Sequence, residues 1–333
     1  MLVPSFSLRL GEQIFGPQVA TLRLRRARLP AVDRLDVAFP AGVPVEAAPG
    51  DEAELELDGG EGAETVFTGT VAALRRRFDG LSLTARGPAD RLALFRPALA
   101  LERVTAGEAI ARLAGDAGVE TGDIADGPLL AVYVADGRST ALAEIARLAA
   151  LSGASASFDG EGALNLPDPA SPGQPIALRY GREILFAEST EGSPGGAVPV
   201  VVGEGGDPNG GQALWVLKDF LQGGAGSGPR VALPEIRRRA DADAAANALA
   251  AARAARAKAV RLTTFLTPGL APGLPLQLAE MPDGLPLASA TLHQVVHTVS
   301  ASDGALSQLW GTGYDAASGG LLGAALSAVG GLL

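Results

Sequence analysis

The chain has no cysteine among its 333 residues. Disulfides, thiolate nucleophiles and cysteine-ligated zinc or iron–sulfur centres are therefore excluded. Histidine is nearly as scarce, with two residues, which leaves few ways to build a Ser-His-Asp triad. Aromatic residues make up only 5%, so cores must be assembled from Leu, Val and Ala. Positive charge is in deficit: 27 Lys and Arg stand against 37 Asp and Glu, for a net charge of −10. A duplex-binding surface needs cations to displace counterions, so no specific nucleic-acid binding is expected. The opening residues, Met1 to Leu8, carry no basic segment ahead of an apolar core, so no secretory signal is expected and synthesis and assembly in the cytoplasm are.

What the chain does have is an apolar share of 47% beside a charged share of 19%, a globular balance. Its 44 Gly and 23 Pro are spread along the length, as many short strands and turns require. Arginine is clustered at Arg23/Arg25/Arg26/Arg28, at Arg75-Arg76-Arg77 and at Arg237-Arg238-Arg239. Each cluster reads as a solvated strand or helix face, or as a pairing surface between subunits, rather than as a nucleic-acid footprint.

The most informative pattern is a repeat. Ala48-Pro49-Gly50 leads into the alternating strand Ala53–Leu57, a second strand around Thr65–Leu74, and a hairpin at Asp79-Gly80 into Leu81–Ala85. Ala271-Pro272-Gly273 leads into Leu274–Leu278, a strand at Thr291–Val299, and Asp303-Gly304 into Leu306–Trp310. With the alternating segments before Pro40, residues 1–95 read as about six strands, a small barrel or closed sandwich.

Between the copies the period changes. Thr105-Ala106-Gly107-Glu108 reads as a capping box ahead of Ile110 and Leu113, with Gly118 as the stop. A second helix is expected after Ser139 or Thr140, carrying Leu142, Ile145 and Leu148 and ending at Gly153. A hairpin at Asp159-Gly160 follows. Residues 189–212 and 222–230 read as Gly-rich loops around a short strand at Ala213–Leu217. Residues 240–259 are Ala-rich and strongly helical, with Asp241 or Asp243 able to cap. The expected fold is mainly β with α+β insertions: a first barrel (1–95), an α/β unit (96–180), a loop-rich β segment (181–239), a helix plus second barrel (240–315), and an apolar tail (316–333).

Candidate chemistry is thin. His293 and His297 have metal-site spacing for a helix, but Gln294 stands where a general base would sit. The β-branched neighbours Thr291, Val295, Val296 and Val299 indicate a strand, where the two rings are poorly placed to chelate. Gly203–Gly211 resembles a ligand loop without the Gly-Lys-Ser/Thr that a phosphate loop needs. Glu54 and Glu56 alternate with Leu55 and Leu57, as the wet side of a half-buried strand. Ser152-Gly153 and Ser227-Gly228 do not form a nucleophile elbow. No catalytic residue, cofactor site or metal site is assigned. The tail, Ala316 to Leu333, is uncharged. It can be read as a near-bilayer span, a frayed end, or a docking segment. Docking through Leu321, Leu322, Leu326, Val329, Leu332 and Leu333 is favoured, because an exposed apolar stretch is a liability in a monomer.

The order of these pieces resembles the late control protein D family of contractile phage tails, which is similar to the N-terminal part of the VgrG spike proteins of type VI secretion. The resemblance is carried by the leading β segment up to Thr84-Ala85-Arg86-Gly87 and by Thr105–Leu113. It continues through the helix Ser139–Ala149 with its hairpin at Phe158-Asp159-Gly160 and Leu164–Leu166, the Ala-rich helix, and Pro272-Gly273 with the last strands. It implies a structural hub rather than an enzyme: a homotrimer with pseudo-sixfold symmetry that joins a hexameric tail tube to a trimeric central spike. Its partners would be the tube protein, the spike protein, other baseplate proteins and the tape measure protein. Its location would be the baseplate of a virion tail or injection particle, assembled in the host bacterial cytoplasm. Two alternatives stand beside it: a glycan or peptidoglycan hydrolase using a carboxylate pair on a β scaffold, and a membrane-associated adaptor held by the tail.

Overall fold

Strand alternation decides most of the chain. β1 (Ser5–Leu10), β2 (Gln13–Phe15), β3 (Thr21–Ala27), β4 (Arg34–Pro40), β5 (Glu52–Asp58), β6 (Ala63–Arg77) and β7 (Gly80–Arg86) make the first module. Leu22 and Leu24 point inward while Arg23 and Arg25 point out; in β5, Ala53, Leu55 and Leu57 are buried between outward glutamates. All seven strands contribute to one apolar cluster, so the sheet must curl around it. The computed structural model describes residues 4–171, 173–193, 200–204, 220–223, 228–302 and 304–316.

The α/β unit follows: α1 (Ala89–Leu94), β8 (Ala98–Thr105), α2 (Ala106–Asp116), β9 (Thr121–Ile124), β10 (Leu129–Asp136), α3 (Ala141–Leu151), β11 (Ser157–Phe158) and β12 (Leu164–Leu166). The capping box forms as the sequence requires: Glu108 N–H donates to Thr105 Oγ1 at 3.1 Å and Thr105 N–H to Glu108 Oε2 at 2.7 Å. Thr140 caps α3 through its hydroxyl. Then come β13 (Ile176–Arg179), β14 (Ile184–Glu191), β15 (Val200–Glu204), β16 (Phe220–Gly223), β17 (Arg230–Leu233), α4 (Arg239–Ala257), β18 (Lys258–Phe265), β19 (Pro275–Ala279), β20 (Leu287–Ser300) and β21 (Gly304–Ala316). The buried face of α4, Ala242, Ala245 and Ala246, joins the core of the α/β unit.

Two local expectations are corrected. Residues 189–212 and 222–230 are not simply loops, because β14 runs to Glu191 and β15 covers Val200–Glu204, pairing with β16 and β17. The short strand expected at Ala213–Leu217 lies outside the described residues. Asp241 does not cap α4: the cap position is Arg238, and Asp241 sits in the first turn, where it pairs with that guanidinium (Nε–Oδ2 2.6 Å). β8 and β10, an antiparallel pair, were not legible, since β8 continues directly into the capping box of α2.

The repeat is real at the level of single hydrogen bonds. Gly50 and Gly273 have φ of +99° and +100°. Each follows a proline in a turn closed by an N–H to carbonyl bond, Asp51 to Ala48 at 3.1 Å and Leu274 to Ala271 at 3.3 Å. That arrangement fits a type II turn, which needs φ above zero at its third residue. Each glycine N–H then donates to the neighbouring strand, Gly50 to Val71 O (2.8 Å) and Gly273 to Leu292 O (2.9 Å). Each strand answers, Val71 N–H to Asp51 O (2.8 Å) and Leu292 N–H to Leu274 O (2.9 Å). Just beyond, both modules have a register shift, between Val71 and Ala73 in β6 and between Leu292 and Gln294 in β20.

The strand orders match as well. One 13-stranded sheet contains β3-β4-β7-β6-β5-β1 from the first module and β14-β18-β21-β20-β19-β13 from the second. Position by position, these are the same six strands in the same chain order. One pairing differs: β1 lies antiparallel to β5, whereas β13 lies parallel to β19. The fold is thus mainly β with two similar modules. The first module is not closed by its own hydrogen bonds among the described residues, because β3, the strand that would have to close it, has β4 on one edge and β20 on the other; the end strands of the second module meet only at the bridge between Tyr180 and Ile184.

A matched pair of substitutions tests the repeat. In Gly50→Ala the new Cβ meets nothing within 4 Å, and in Gly273→Ala it meets only Ser157 Oγ at 3.7 Å. The cost is backbone strain in both, so each should lower stability by about 1 kcal/mol or more, to a similar extent. Denaturation midpoints check this; a loss at one glycine and none at the other would contradict the equivalence.

Candidate functional site at the junction of the two modules

β20 is the strand on which the two modules meet. One of its edges pairs with β21 along its length. Its other edge is divided. Ser289, Ala290 and Thr291 pair with β19, and Gln294 to Ser300 pair antiparallel with β3, from Gln294 opposite Ala27 to Ser300 opposite Thr21. The division falls at the bulge, where Arg28 N–H donates to His293 O at 3.1 Å. The extra residue of a bulge bends the strand and lets it change partners.

Side chains reinforce the seam. Arg25 Nε donates to Gln294 Oε1 at 3.2 Å. Leu266, from the loop after β18, lies in the first module's core rather than the second's. The fit is tight: a Cβ on Gly59 would come within 2.8 Å of Leu266 O. That loop is pinned by buried polar groups. Thr267 N–H donates to Ser307 Oγ at 3.1 Å, and Ser307 Oγ lies 2.9 Å from His297 Nδ1. Thr264, His297 and Ser307 are all fully buried. Both histidines lie in β20, as their neighbours indicate, but the bulge leaves His293 exposed and turns His297 inward, so His297 is not an ordinary polar strand residue. Burial first, and Arg26 second, push its pKa down to about 3.

The arginine clusters part in the same way. Arg23, Arg25 and Arg75 to Arg77 are exposed on strands. Arg26 is buried and donates through Nη2 to Phe158 O at 2.9 Å, which ties β3 to the α/β unit. Arg237 is buried too. Burial lowers the pKa of Arg26, against the pull of Asp33 and Asp159. Burial raises Asp33 to about 6, with Arg26 opposing. Asp33 Oδ1 accepts from Ala27 N–H at 2.9 Å, closing the turn after β3. Alternation carried the signal for Arg26, which falls two residues beyond Leu24 on the inward face.

A cleft of 630 Å³ lies beside this seam, lined among others by Arg28, Ser157, Asp159, Asn165 and Pro272. Several of its polar groups are engaged within the structure, while Arg28 Nε is buried without a hydrogen-bond partner among the described residues. Ser157 Oγ donates to Pro272 O at 3.1 Å, Asp159 accepts from Asn165 Nδ2 and Ala163 N–H, and Arg28 reaches Ser155 Oγ at 3.4 Å. The cleft is where the α/β unit is sewn to the second module's Pro-Gly turn. No group of three or more His, Asp or Glu suited to a metal occurs among the described residues. Glu54 and Glu56 lie on the outer face of β5, with Glu54 paired to Arg9. Ser152 is the cap of α3. Residues 205–211 of the Gly-rich stretch, Ser227 and the proposed docking residues Leu321, Leu322, Leu326, Val329, Leu332 and Leu333 lie outside the described residues.

Solved structures share this architecture. A tail protein from Neisseria meningitidis MC58 matches with a TM-score of 0.70 at 18% identity, over 93% of this chain and 97% of that one. The 43 kDa tail protein of prophage MuSo2 from Shewanella oneidensis matches with a TM-score of 0.68 at 12% identity, over 92% and 98%. An Escherichia coli component of the type VI secretion system, described as structurally similar to the bacteriophage T4 tail proteins gp27 and gp5, matches at 0.58 and 10% identity, over 92% of this chain and 77% of that one. The chain has the fold of these proteins. No sequence-family profile matches it, and no curated protein matches by sequence.

The buried histidine gives a pH test of the seam. Its folded pKa of about 3 lies below the ordinary 6.5. The neutral ring thus contributes its stability in full above pH 6.5, and this is lost as the pH falls toward 3, at about 1.4 kcal/mol per pH unit. Asp33, raised from 3.8 to about 6, slopes the other way and loses its contribution as pH rises through 6. Comparing wild type with His297→Asn isolates the histidine. The advantage of wild type should shrink steadily between pH 6.5 and 4.5. A constant difference across that window would contradict the buried neutral ring.

Proposed function

We propose that the chain is a structural hub of a contractile-tail baseplate or related injection particle, not an enzyme. In this reading it is a homotrimer with pseudo-sixfold symmetry that joins a hexameric tail tube to a trimeric central spike. Other baseplate proteins and the tape measure protein are further neighbours. The tail fold shared with the Neisseria and Shewanella proteins supports the setting.

The observation that carries the proposal is the junction itself. Two modules with the same strand order lie side by side in one sheet rather than packing face to face. Through the junction runs a continuous series, β14-β18-β21-β20-β3-β4-β7-β6, four strands from each module. Such a chain counts as two positions in a ring, and three chains supply six. This is how a threefold assembly can meet both a sixfold and a threefold partner. The apolar segment with Leu321, Leu322, Leu326, Val329, Leu332 and Leu333 is proposed as a docking element for spike, tube or neighbouring hub.

Light scattering on the purified protein, alone and with tube or spike protein added, tests the assembly state. A mass three times that of the 33.5 kDa chain is expected. A monomer that persists with either partner present would overturn the proposal.

A further inference from the structure

The internal junction specifies a second one between copies. β6 and β20 are equivalent: each pairs first with the strand after its Pro-Gly turn, then passes a bulge. Beyond the bulge β20 pairs with β3, whereas beyond Val71 the same edge of β6 has no partner strand among the described residues. The equivalent of β3 in the second module is β14, which ends the sheet; beyond a single bridge from Ile184 to Tyr180, its outer edge has no partner strand among the described residues. We infer that the outer half of β6 pairs antiparallel with β14 of a second copy of this chain, repeating the β20–β3 junction between subunits. This deepens the trimeric-ring reading and rests on it.

The register follows from pairings already described. Gln294 opposite Ala27 and Thr298 opposite Arg23 define the internal junction. Aligning the bulges makes Ala73 and Arg77 the equivalents of Gln294 and Thr298. Following β3 through β4 and β7, and β14 through β18 and β21, makes Glu188 the equivalent of Arg23. Between copies, Arg77 then stands opposite Glu188, Arg76 opposite Ser189, Arg75 opposite Thr190 and Leu74 opposite Glu191.

The side chains at these positions complement one another. Arg75, Arg76 and Arg77 are exposed, as are Glu188 and Glu191. Arg77 meets Glu188 directly, and Arg76 meets Glu191 on the diagonal, both within cross-strand reach. Phe78 is 100% exposed and Leu185 45% exposed, each at the end of the segment that would pair. Charge also rules out the wrong partners, since β6 against β6 sets arginine against arginine and β14 against β14 sets glutamate against glutamate. An unpaired edge is a liability that proteins cover or charge, and here each open edge carries the charge that fits the other.

The absence of cysteine makes the test direct. In the full chain, Arg77→Cys with Glu188→Cys and Arg76→Cys with Ser189→Cys are successive opposed pairs, one of which must be the closely spaced kind. On mild oxidation at least one double variant should give linked species ending at a three-chain band on a non-reducing gel. Arg77→Cys with Glu191→Cys, out of register, should not. Separately, Arg77→Glu and Glu188→Arg should each reduce trimer formation, and the combined exchange should restore it. A trimer by light scattering whose in-register pairs link no better than the offset control overturns this junction and leaves the ring standing. A monomer that links nowhere overturns both.

Discussion

The fold depends on the backbone hydrogen bonding of one strand, β20. A strand inside a sheet must satisfy the N–H and C=O groups of both edges. β20 does this with three partners, β21 on one side and β19 then β3 on the other. The change of partner at its bulge turns two curled sheets into one. It also keeps β3 from closing the first module on itself, and among the described residues β6 beyond Val71 and most of β14 are left without a partner strand on one edge.

Much of this was legible in the sequence, for local reasons. A Pro-Gly turn with φ near +100° needs glycine at its third position, so Gly50 and Gly273 mark the same turn wherever it occurs. Thr105 with Glu108, and Thr140, announce their helices because orphan N–H groups at a helix start need those oxygens. Other features lacked a local signature. Nothing in Thr21–Ala27 names β20 as its partner, because pairing across some 270 residues is decided by tertiary packing. β15 and β16 are short and lie in Gly-rich surroundings that read as loop. Arg26 was readable only by taking alternation more strictly than residue polarity, whereas His297 turns inward past a bulge that alternation from His293 does not reveal.

The two modules share a backbone but have diverged where they do different work. At His297, Ser307 and Thr264, the second module has a buried polar pin holding the loop that carries Leu266 into the first module's core. The register places Arg76, Leu81 and Phe39 at the equivalent positions of the first module. A buried hydrogen-bonded set costs desolvation that an apolar one does not, and it gives directional contacts that fix one loop in one place. Beyond the bulges the divergence is one of charge: neutral Thr298 and Val296 face Arg23 and Arg25 within the chain, whereas arginines and glutamates occupy the corresponding open edges.

In the proposed ring, one chain occupies two neighbouring positions of six. Averaged electron-microscope images of the assembled particle viewed down its axis test it most directly. Six similar densities are expected at low resolution, separating into three alternating pairs once side chains are resolved, each pair crossed by a continuous β20–β3 sheet. A ring with another count, or one in which the two modules of a chain stack along the axis instead of lying side by side around it, would contradict it.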